Sequence, residues 1–378
     1  MSRSVPVSVK SKVISIIILV VVGLIFPIVL IEITARVAPA LIPTEIQTVF
    51  QNEEDQLLKG LAPDDDLGYK YAPGLVDFLV PFEGDEGPQN YAVTTTSLGY
   101  AGSGFRDDGL EGEAYAVVIG DSYANCASVA LDECWVELLE QEVGRDFANL
   151  GVVGYSPQQE LRMLTKYGLP LKPELVVWAF FPNDVNDAWR FDQFGRGAAT
   201  AGKFWRQPLR AWLAQNSVVY ATFSFFWYNR YLFYNLWQAD DQLIPPDSNL
   251  IWWLTYTDLA VPEVAEGFAL TTAAIGQAHQ QVQAMDERAR FVVVIIPFRE
   301  QVYADPALQP QLDRLNQALV EYGRRHGIPV LDLTPALRQA AEAESAPLYF
   351  RRDIHLTRRG NELVAELLRQ NLAVNSDK

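Results

Sequence analysis

The sequence predicts an α/β fold built on a mainly parallel sheet. From about residue 111 onward, apolar runs of strand length alternate with segments of helical periodicity. One of these runs, Leu175 to Phe181, is apolar at every position, which is typical of a strand covered by helices on both faces. The chain has 378 residues and 49% of them are hydrophobic, which is sufficient for a large buried core.

Five strands and four helices are predicted in this region from the hydrophobic periodicity and the turn signals between them. The strands are Tyr115–Ile119, Phe147–Val152, Leu175–Phe181, Phe291–Ile296 and Pro329–Leu333. The helices cover Leu131–Val143, a segment from Pro157 onward, Leu312–Tyr322 and a segment from Thr357 onward. The second helix has the clearest start, because Ser156 can cap it, Pro157 suits its first position and Gln159 completes a capping box.

The N-terminal segment has the length and composition of a membrane-spanning helix. Val13 to Ile31 carries no charge and would form a helix about 28 Å long, close to the thickness of the hydrocarbon core. Arg3, Lys10 and Lys12 precede it, so we expect a cytoplasmic tail at 1–12, a transmembrane anchor at 13–34 and an exported remainder, periplasmic or extracellular. The alternative is a signal peptide cleaved near Ala38-Pro39-Ala40, which also exports the remainder.

The exported part divides into a lead-in and a larger domain. Residues 35–110 are rich in Asp, Gly, Pro and Tyr and predict an irregular, strand-containing lead-in. Residues 111–376 form the predicted catalytic domain, interrupted by an insertion at about 186–265 that holds most of the tryptophans. An aromatic stripe in the insertion has helical spacing and consists of Tyr220, Phe223, Trp227, Tyr231 and Tyr234. It would either pack on the sheet or form a lid or membrane-docking surface that shapes an acyl-binding site.

Charge and cysteine content limit the classes of function. The net charge of −17 and the lack of a basic stripe argue against a nucleic-acid partner. Three histidines provide no metal-ligand cluster, and we predict no cofactor and no metal. Cys126 and Cys134 would form a disulfide in an exported domain or remain two buried thiols, and the spacing does not decide between these states.

Residues that carry chemistry follow several of the predicted strands. In an open parallel sheet, ligands bind beyond the carboxyl ends of the strands. The segments at these positions are Gly120-Asp121-Ser122, the loop through Gly154, Asn183-Asp184, and Asp353-Ile354-His355 before the last helix. Each segment is unspecific alone, but their joint order predicts a single active site.

These residues fit nucleophilic catalysis by serine. A serine hydroxyl needs an imidazole to take its proton, and a carboxylate must orient that imidazole. Ser122 is the predicted nucleophile, and Gly120 permits the tight turn that presents it. His355 is the predicted base and Asp353 its orienting carboxylate, because His279 and His326 lie in predicted helical segments.

Acyl transfer also requires hydrogen-bond donors for the oxyanion. The backbone N–H groups of Ser122 and Gly154 and the side-chain amide of Asn183 are the predicted donors. Asp121 and Asp184 adjoin two of these positions and are predicted to support them.

With these motifs, the chain resembles the SGNH/GDSL family of serine hydrolases. The resemblance covers about residues 111–373 and rests on Ser122, Gly154, Asn183, Asp353 and His355 with their neighbours. It implies a flavodoxin-like three-layer α/β/α sandwich, an oxyanion hole at the Ser, Gly and Asn positions, and no requirement for a metal. The lead-in, with Asp66-Leu67-Gly68-Tyr69 and Gly104-Phe105-Arg106, resembles a membrane-anchored bacterial subgroup.

The carboxylate departs from the usual family pattern. Many members place Asp three residues before His, whereas here Arg352 occupies that position and Asp353 lies two residues ahead of His355. This shorter spacing resembles exported O-acetyltransferases that act on bacterial polysaccharides, and it also occurs in membrane-anchored hydrolases. The leading hypothesis is hydrolysis of an ester of a carbohydrate or lipid through an acyl-enzyme on Ser122. The alternatives are acyl transfer to a sugar hydroxyl of the cell envelope, and an anchored binding module without catalysis.

Overall fold

A computed structural model of the chain describes residues 23, 26–27, 29–34, 36–38, 60–95, 106, 113–194, 217–228, 230–231, 250–343 and 345–372. The chain forms two compact units. The first consists of Met1–Glu53 and Trp205–Phe233, and the second of Glu54–Phe204 and Tyr234–Lys378. The central sheet and the candidate active site belong to the second unit.

The central sheet of the second unit has five parallel strands. They are β5 (Ala116–Gly120), β6 (Phe147–Asn149), β7 (Leu175–Phe180), β8 (Arg290–Ile295) and β9 (Val330–Asp332). Their spatial order is β6-β5-β7-β8-β9, which is the order of flavodoxin-type doubly wound sheets. The predicted parallel α/β sheet is therefore confirmed. The second strand ends earlier than expected, because the side chain of Asn149 accepts the N–H of Gly151 and turns the chain out of the sheet.

Along the described chain, helices lie between the strands of this sheet and after the last one. They are α1 (Trp135–Val143), α2 (Pro157–Met163), α3 (Asp184–Phe194), α4 (Val218–Tyr228), α5 (Leu250–Tyr256), α6 (Pro262–Met285), α7 (Arg299–Tyr303), α8 (Gln309–Leu312), α9 (Arg314–His326), α10 (Thr334–Ala343) and α11 (Arg358–Asn371). Thr357 caps α11, and α2 starts at Pro157 as its sequence indicates. The expected contact from Gln159 back to Ser156 is present at α2, because the Gln159 side chain accepts both the N–H and the hydroxyl of Ser156.

Two hydrophobic cores lie on opposite faces of the sheet. In β5, Val117 and Ile119 enter one core, while Ala116 and Val118 enter the other. The first core includes buried residues of α6 and α9, and the second includes those of α1 and α11. Alternating side chains with helices on both faces explain why the strands are apolar at every position.

The lead-in consists of two antiparallel hairpins in its described part. Strand β1 (Leu61–Asp64) pairs with β2 (Gly68–Tyr71), and β3 (Phe78–Gly84) pairs with β4 (Gly87–Val93). Tyr71, Val80 and Val93 are buried within the same core as one face of the central sheet. The lead-in is thus packed onto the catalytic region and is more regular than its composition suggests.

The first unit contains the described part of the N-terminal segment and α4. The carboxylate of Glu32 accepts hydrogen bonds from the Ser217 hydroxyl and from the N–H groups of Val218 and Val219, so it caps the start of α4. Within the described residues we find no helix with the length and hydropathy of a bilayer span. Most of the predicted apolar run, from Val13 to Val22, lies outside them.

The aromatic insertion has two different environments. In α4, Phe223 and Trp227 are 64% and 55% exposed. Tyr234 lies outside the described residues. In α5, by contrast, Trp253 is buried, stacks on Phe298 and contacts Phe181 immediately after β7. Trp253 of α5 therefore belongs to the core of the second unit.

Candidate active site

Ser122 sits in a tight turn directly after β5. A β-carbon at Gly120 would come within 2.7 Å of the Ala179 carbonyl oxygen and 2.8 Å of the Ala124 β-carbon, so only glycine fits between these neighbours. The turn is closed by hydrogen bonds from Asn125 N–H to Asp121 O and from Ala127 N–H to Ser122 O. Strand and turn together hold the serine at the carboxyl edge of the sheet, with only 6% of its surface exposed.

His355 lies beside this serine. Its Nε2 is 2.8 Å from Ser122 Oγ, and its Nδ1 is 2.5 Å from Asp353 Oδ1. With Nδ1 protonated, Nε2 carries the lone pair that accepts the serine proton. The structure thus brings together Ser122, His355 and Asp353 in the geometry of a nucleophile, a general base and an orienting carboxylate.

The Asp353 carboxylate is stabilised in its charged form. Burial opposes its ionisation, but hydrogen bonds from the His355 side chain and backbone and from the Ser128 hydroxyl outweigh burial and lower the pKa of Asp353. Its Oδ1 also accepts the backbone N–H of His355 at 2.8 Å, a contact that the two-residue spacing allows. A carboxylate that remains ionised can stabilise an imidazolium as it forms.

The loop that carries His355 is held from several directions. Phe350 N–H donates to His355 O, and Tyr349 and Leu356 form an isolated β-bridge, so the loop closes on itself. Tyr123, the residue after the nucleophile, donates its hydroxyl to the carbonyl of Ile354. This bond links the nucleophile turn directly to the histidine loop.

The two other predicted oxyanion donors occupy the neighbouring loops. Gly154 follows β6 with φ at +74°, a backbone conformation that favours glycine. The Tyr69 hydroxyl donates to the carbonyl of Val153 and would lie 3.1 Å from a β-carbon at Gly154. The Asn183 amide donates to Asp187 at 3.0 Å, and its Oδ1 is buried without a hydrogen-bond partner among the described residues. In the resting site, the Asn183 amide is therefore bonded to the Asp187 carboxylate. The donation of this amide to an oxyanion stays a prediction.

Several buried acids surround Asn183. Asp184 accepts the N–H of Phe181 and is fully buried, and burial with nearby Glu160 and Asp121 raises the pKa of its carboxyl well above its usual range. Burial likewise raises the pKa of Asp121, although the hydrogen bond from the N–H of Tyr123 opposes this. A carboxyl with a raised pKa favours its neutral form. Asp121 and Asp184 therefore add little negative charge next to the predicted position of the oxyanion.

Glu160 completes this acidic cluster and was missed by the sequence reasoning. It is 1% exposed, and burial, with Asp121 and Asp187 adding to it, raises the pKa of its carboxyl well above the usual range. Its position in the first turn of α2 gives no signal in the sequence, because acidic residues are common there. Only the packing of α2 against the sheet shows that this side chain is buried.

The loop after the nucleophile contains further residues that the motifs did not indicate. Cys126 and Cys134 form a disulfide and are not two free thiols. Ser128 Oγ lies 3.5 Å from His355 Nδ1. The buried guanidinium of Arg106 donates to the carbonyl oxygens of Asn125, Cys126 and Val129 in this loop. No sequence signal assigns Ser128, although Arg106 belongs to a segment noted for its family resemblance.

The lead-in hairpins also reach the site. The Asp85 carboxylate, at the tip of the β3–β4 hairpin, accepts the backbone N–H of Arg351 in the histidine loop at 2.6 Å. Phe82 packs edge-on against Phe350 in the same loop. The Tyr71 hydroxyl contacts the Asn125 side chain beside the nucleophile turn. The lead-in therefore supports the nucleophile loop and the histidine loop.

One sequence family and several solved structures are similar to this chain. The sequence profile of the GDSL-like lipase/acylhydrolase family matches residues 118–363. A solved structure from the lipolytic protein G-D-S-L family of Veillonella parvula is similar at 12% identity, over 68% of this chain and 97% of that one, with a TM-score of 0.37.

Two further solved structures are similar to a comparable extent. An acetylxylan esterase from Geobacillus stearothermophilus, solved as a catalytic mutant, matches at 13% identity over 71% of this chain and 98% of its own, with a TM-score of 0.40. An α/β hydrolase from the metagenome of Lake Arreo matches at 14% identity over 71% of this chain and 99% of its own, also with a TM-score of 0.40. A search of curated proteins found no match.

Proposed function

The chain belongs to the GDSL-like lipase/acylhydrolase family and is a hydrolase acting on ester bonds, and we propose that it acts through an acyl-enzyme on Ser122. The observation that carries the proposal is the 2.8 Å contact between Ser122 Oγ and His355 Nε2. It is the contact that general-base activation of a hydroxyl requires. The substrate we propose is an ester of a carbohydrate or lipid.

The first half of the reaction forms the acyl-enzyme. Ser122 Oγ attacks the ester carbonyl carbon while its proton moves to His355 Nε2, and the imidazolium is stabilised by Asp353. The tetrahedral intermediate then collapses, its bond to the alcohol oxygen breaks, and the proton on Nε2 moves to that oxygen. The alcohol leaves, and the acyl group remains on Ser122.

The second half uses the same residues on water. His355 Nε2 takes a proton from a water molecule, whose oxygen attacks the acyl carbon. When this intermediate collapses, the proton returns to Ser122 Oγ and the carboxylic acid is released. In both halves the oxyanion would be stabilised by the N–H groups of Ser122 and Gly154 and by the Asn183 amide, each donor contributing about 3 kcal/mol where such donors have been measured.

The proposal is tested with p-nitrophenyl esters and a fluorophosphonate probe. We expect the wild type to hydrolyse the ester and to bind the probe covalently, and Ser122→Ala and His355→Gln to lose both activities. His326→Gln is the matched control, because His326 is exposed at the end of α9. An acyl-enzyme on Ser122 is refuted if Ser122→Ala is labelled as rapidly as the wild type.

Acyl transfer to a sugar hydroxyl is the second candidate. It uses the same three residues, and the two-residue spacing between Asp353 and His355 favours it, because that spacing resembles exported O-acetyltransferases. Hydrolysis and transfer differ in whether water or a sugar hydroxyl reaches the acyl-enzyme. Incubation with an activated ester and an oligosaccharide distinguishes them: acylated sugar formed at the expense of free acid supports transfer, and unchanged acid release supports hydrolysis.

We also propose that the enzyme is anchored in the cell membrane by its N-terminal segment, with the catalytic region outside the cytoplasm. The uncharged run from Val13 to Ile31 and the basic residues before it support this topology. The disulfide between Cys126 and Cys134 also supports it, since structural disulfides persist in oxidising compartments.

Reporter fusions and N-terminal sequencing test the location. An alkaline phosphatase fused after residue 45 should be active, and one fused after residue 12 should be inactive. Purified membrane-bound protein should begin at its original N-terminus. A soluble mature form that begins near residue 41 would instead identify a cleaved signal peptide.

A further inference from the structure

Two residues in the loop after the nucleophile have a backbone conformation that normally favours glycine. Cys126 and Ser128 have φ angles of +55° and +72°. A β-carbon in this left-handed region costs roughly 1 kcal/mol, which glycine avoids. Cys126 uses its side chain for the disulfide. For Ser128, the contacts of its hydroxyl are the feature that glycine could not provide.

The Ser128 hydroxyl faces the catalytic pair. Its Oγ is 3.5 Å from His355 Nδ1, and its hydroxyl helps to lower the pKa of the neighbouring Asp353 carboxyl. Because the hydrogen on Nδ1 already points to Asp353 at 2.5 Å, the serine hydroxyl can turn its own hydrogen toward the carboxylate. The residue is 5% exposed, so little water competes for this bond.

The carboxylate needs such a partner because of how His355 binds it. The backbone N–H and the Nδ1–H of His355 both end on the same oxygen, Asp353 Oδ1. Both bonds come from His355 itself, so neither ties the carboxylate to another segment of the chain. A hydroxyl from a separate loop would supply such a tie.

The loop that carries the hydroxyl is itself fixed. The disulfide ties Cys126 to Cys134 at the start of α1. The buried Arg106 guanidinium binds the carbonyl oxygens of Asn125, Cys126 and Val129, which surround Ser128 in sequence. The hydroxyl is thus presented from a rigid support.

We propose that Ser128 is a positioning residue of the ester hydrolase, which holds the Asp353 carboxylate so that His355 keeps Nδ1 protonated and Nε2 directed at Ser122. The inference rests on the proposed acyl-enzyme mechanism. It extends the catalytic machinery by one residue that lies in no motif of the sequence.

The test compares Ser128→Gly with Ser128→Ala. Both variants lose the hydroxyl, but only the glycine variant also relieves the backbone, so its melting temperature should equal or exceed that of the wild type. We expect kcat and the rate of fluorophosphonate labelling to fall about 10-fold in both variants, the size typical of a lost hydrogen bond to a charged group, with KM unchanged. Lys172→Gly is the control, because Lys172 has φ at +51° at the opposite edge of the sheet and its replacement should leave kcat unchanged.

The outcomes separate the two proposals. Full kcat in both Ser128 variants of an active enzyme overturns the positioning role and leaves the proposed function intact. A loss of activity that follows the melting temperature, present in Ser128→Ala and absent in Ser128→Gly, shows a structural role only and also overturns it. A wild type without labelling at Ser122 overturns the proposed function and the inference together.

Discussion

Asp353→Asn is the substitution that most directly tests the catalytic geometry. It preserves the size of the side chain and removes the negative charge that lies 2.5 Å from His355 Nδ1. Both side chains are largely buried, at 15% and 16% exposure, so solvent screens their interaction only in part. Two unit charges about 4 Å apart at an effective dielectric constant of about 20 interact by roughly 4 kcal/mol. Since each 1.36 kcal/mol changes a rate about tenfold, kcat should fall about 10³-fold.

The assay is steady-state hydrolysis of a p-nitrophenyl ester, with the melting temperature measured in parallel. Asp286→Asn is the matched control, because Asp286 also accepts the N–H of the residue two positions later but lies at the opposite edge of the sheet, before β8. The control should keep wild-type kcat. If Asp353→Asn keeps kcat within tenfold of the wild type while remaining folded, Asp353 does not orient the base, and the interpretation of the two-residue spacing is wrong.

Three further predictions follow from the structure. Burial raises the pKa of Asp187 to about 7, so the folded state favours the neutral carboxyl. The contribution of this carboxyl to folding stability is complete below about pH 4 and is lost as the pH rises through 7. Asp187→Asn should therefore stabilise the protein at pH 8 relative to the wild type, by at most about 4 kcal/mol, and have little effect at pH 4, as measured by urea unfolding. Replacing Cys126 and Cys134 by alanine should lower the free energy of unfolding by about 2–3 kcal/mol and lower kcat, whereas unchanged kcat would show that the loop is fixed without the disulfide. Gly120→Ala places a methyl group 2.7 Å from Ala179 O, so it should cost about 1–3 kcal/mol of stability and reduce labelling of Ser122; a variant as stable and active as the wild type would refute the packing argument.

Much of the fold and the site could be predicted from the sequence because the relevant signals are local. Strand β7 is apolar throughout, and Ser156 and Pro157 indicate where α2 begins. Parallel strands end at one edge of a sheet, so residues that follow separate strands must lie near one another. This places Ser122 at the functional edge, whereas His355 was paired with it, 233 positions away, because it lies beside a carboxylate and outside the predicted helices.

Other features depend on contacts that no local pattern encodes. The sequence left the state of Cys126 and Cys134 open, and the structure shows them bonded. An acidic residue in the first turn of a helix is ordinarily exposed, whereas Glu160 is buried. Phe223 and Trp227 have the spacing of a core stripe, yet they are exposed, because periodicity shows which residues share a face and not what that face contacts.

By itself, the sequence determined the class of sheet, the order of its strands along the chain and the identity of the nucleophile and its base as candidates. The tertiary structure alone decided how that pair is held: Asp85 reaches the histidine loop from 266 positions away, and Ser128 reaches His355 from 227 positions away. The physical reason is that periodicity and turn chemistry act within a few residues of the chain, whereas the orientation of a catalytic carboxylate depends on a hydrogen bond whose donor is brought near only when the whole chain has packed.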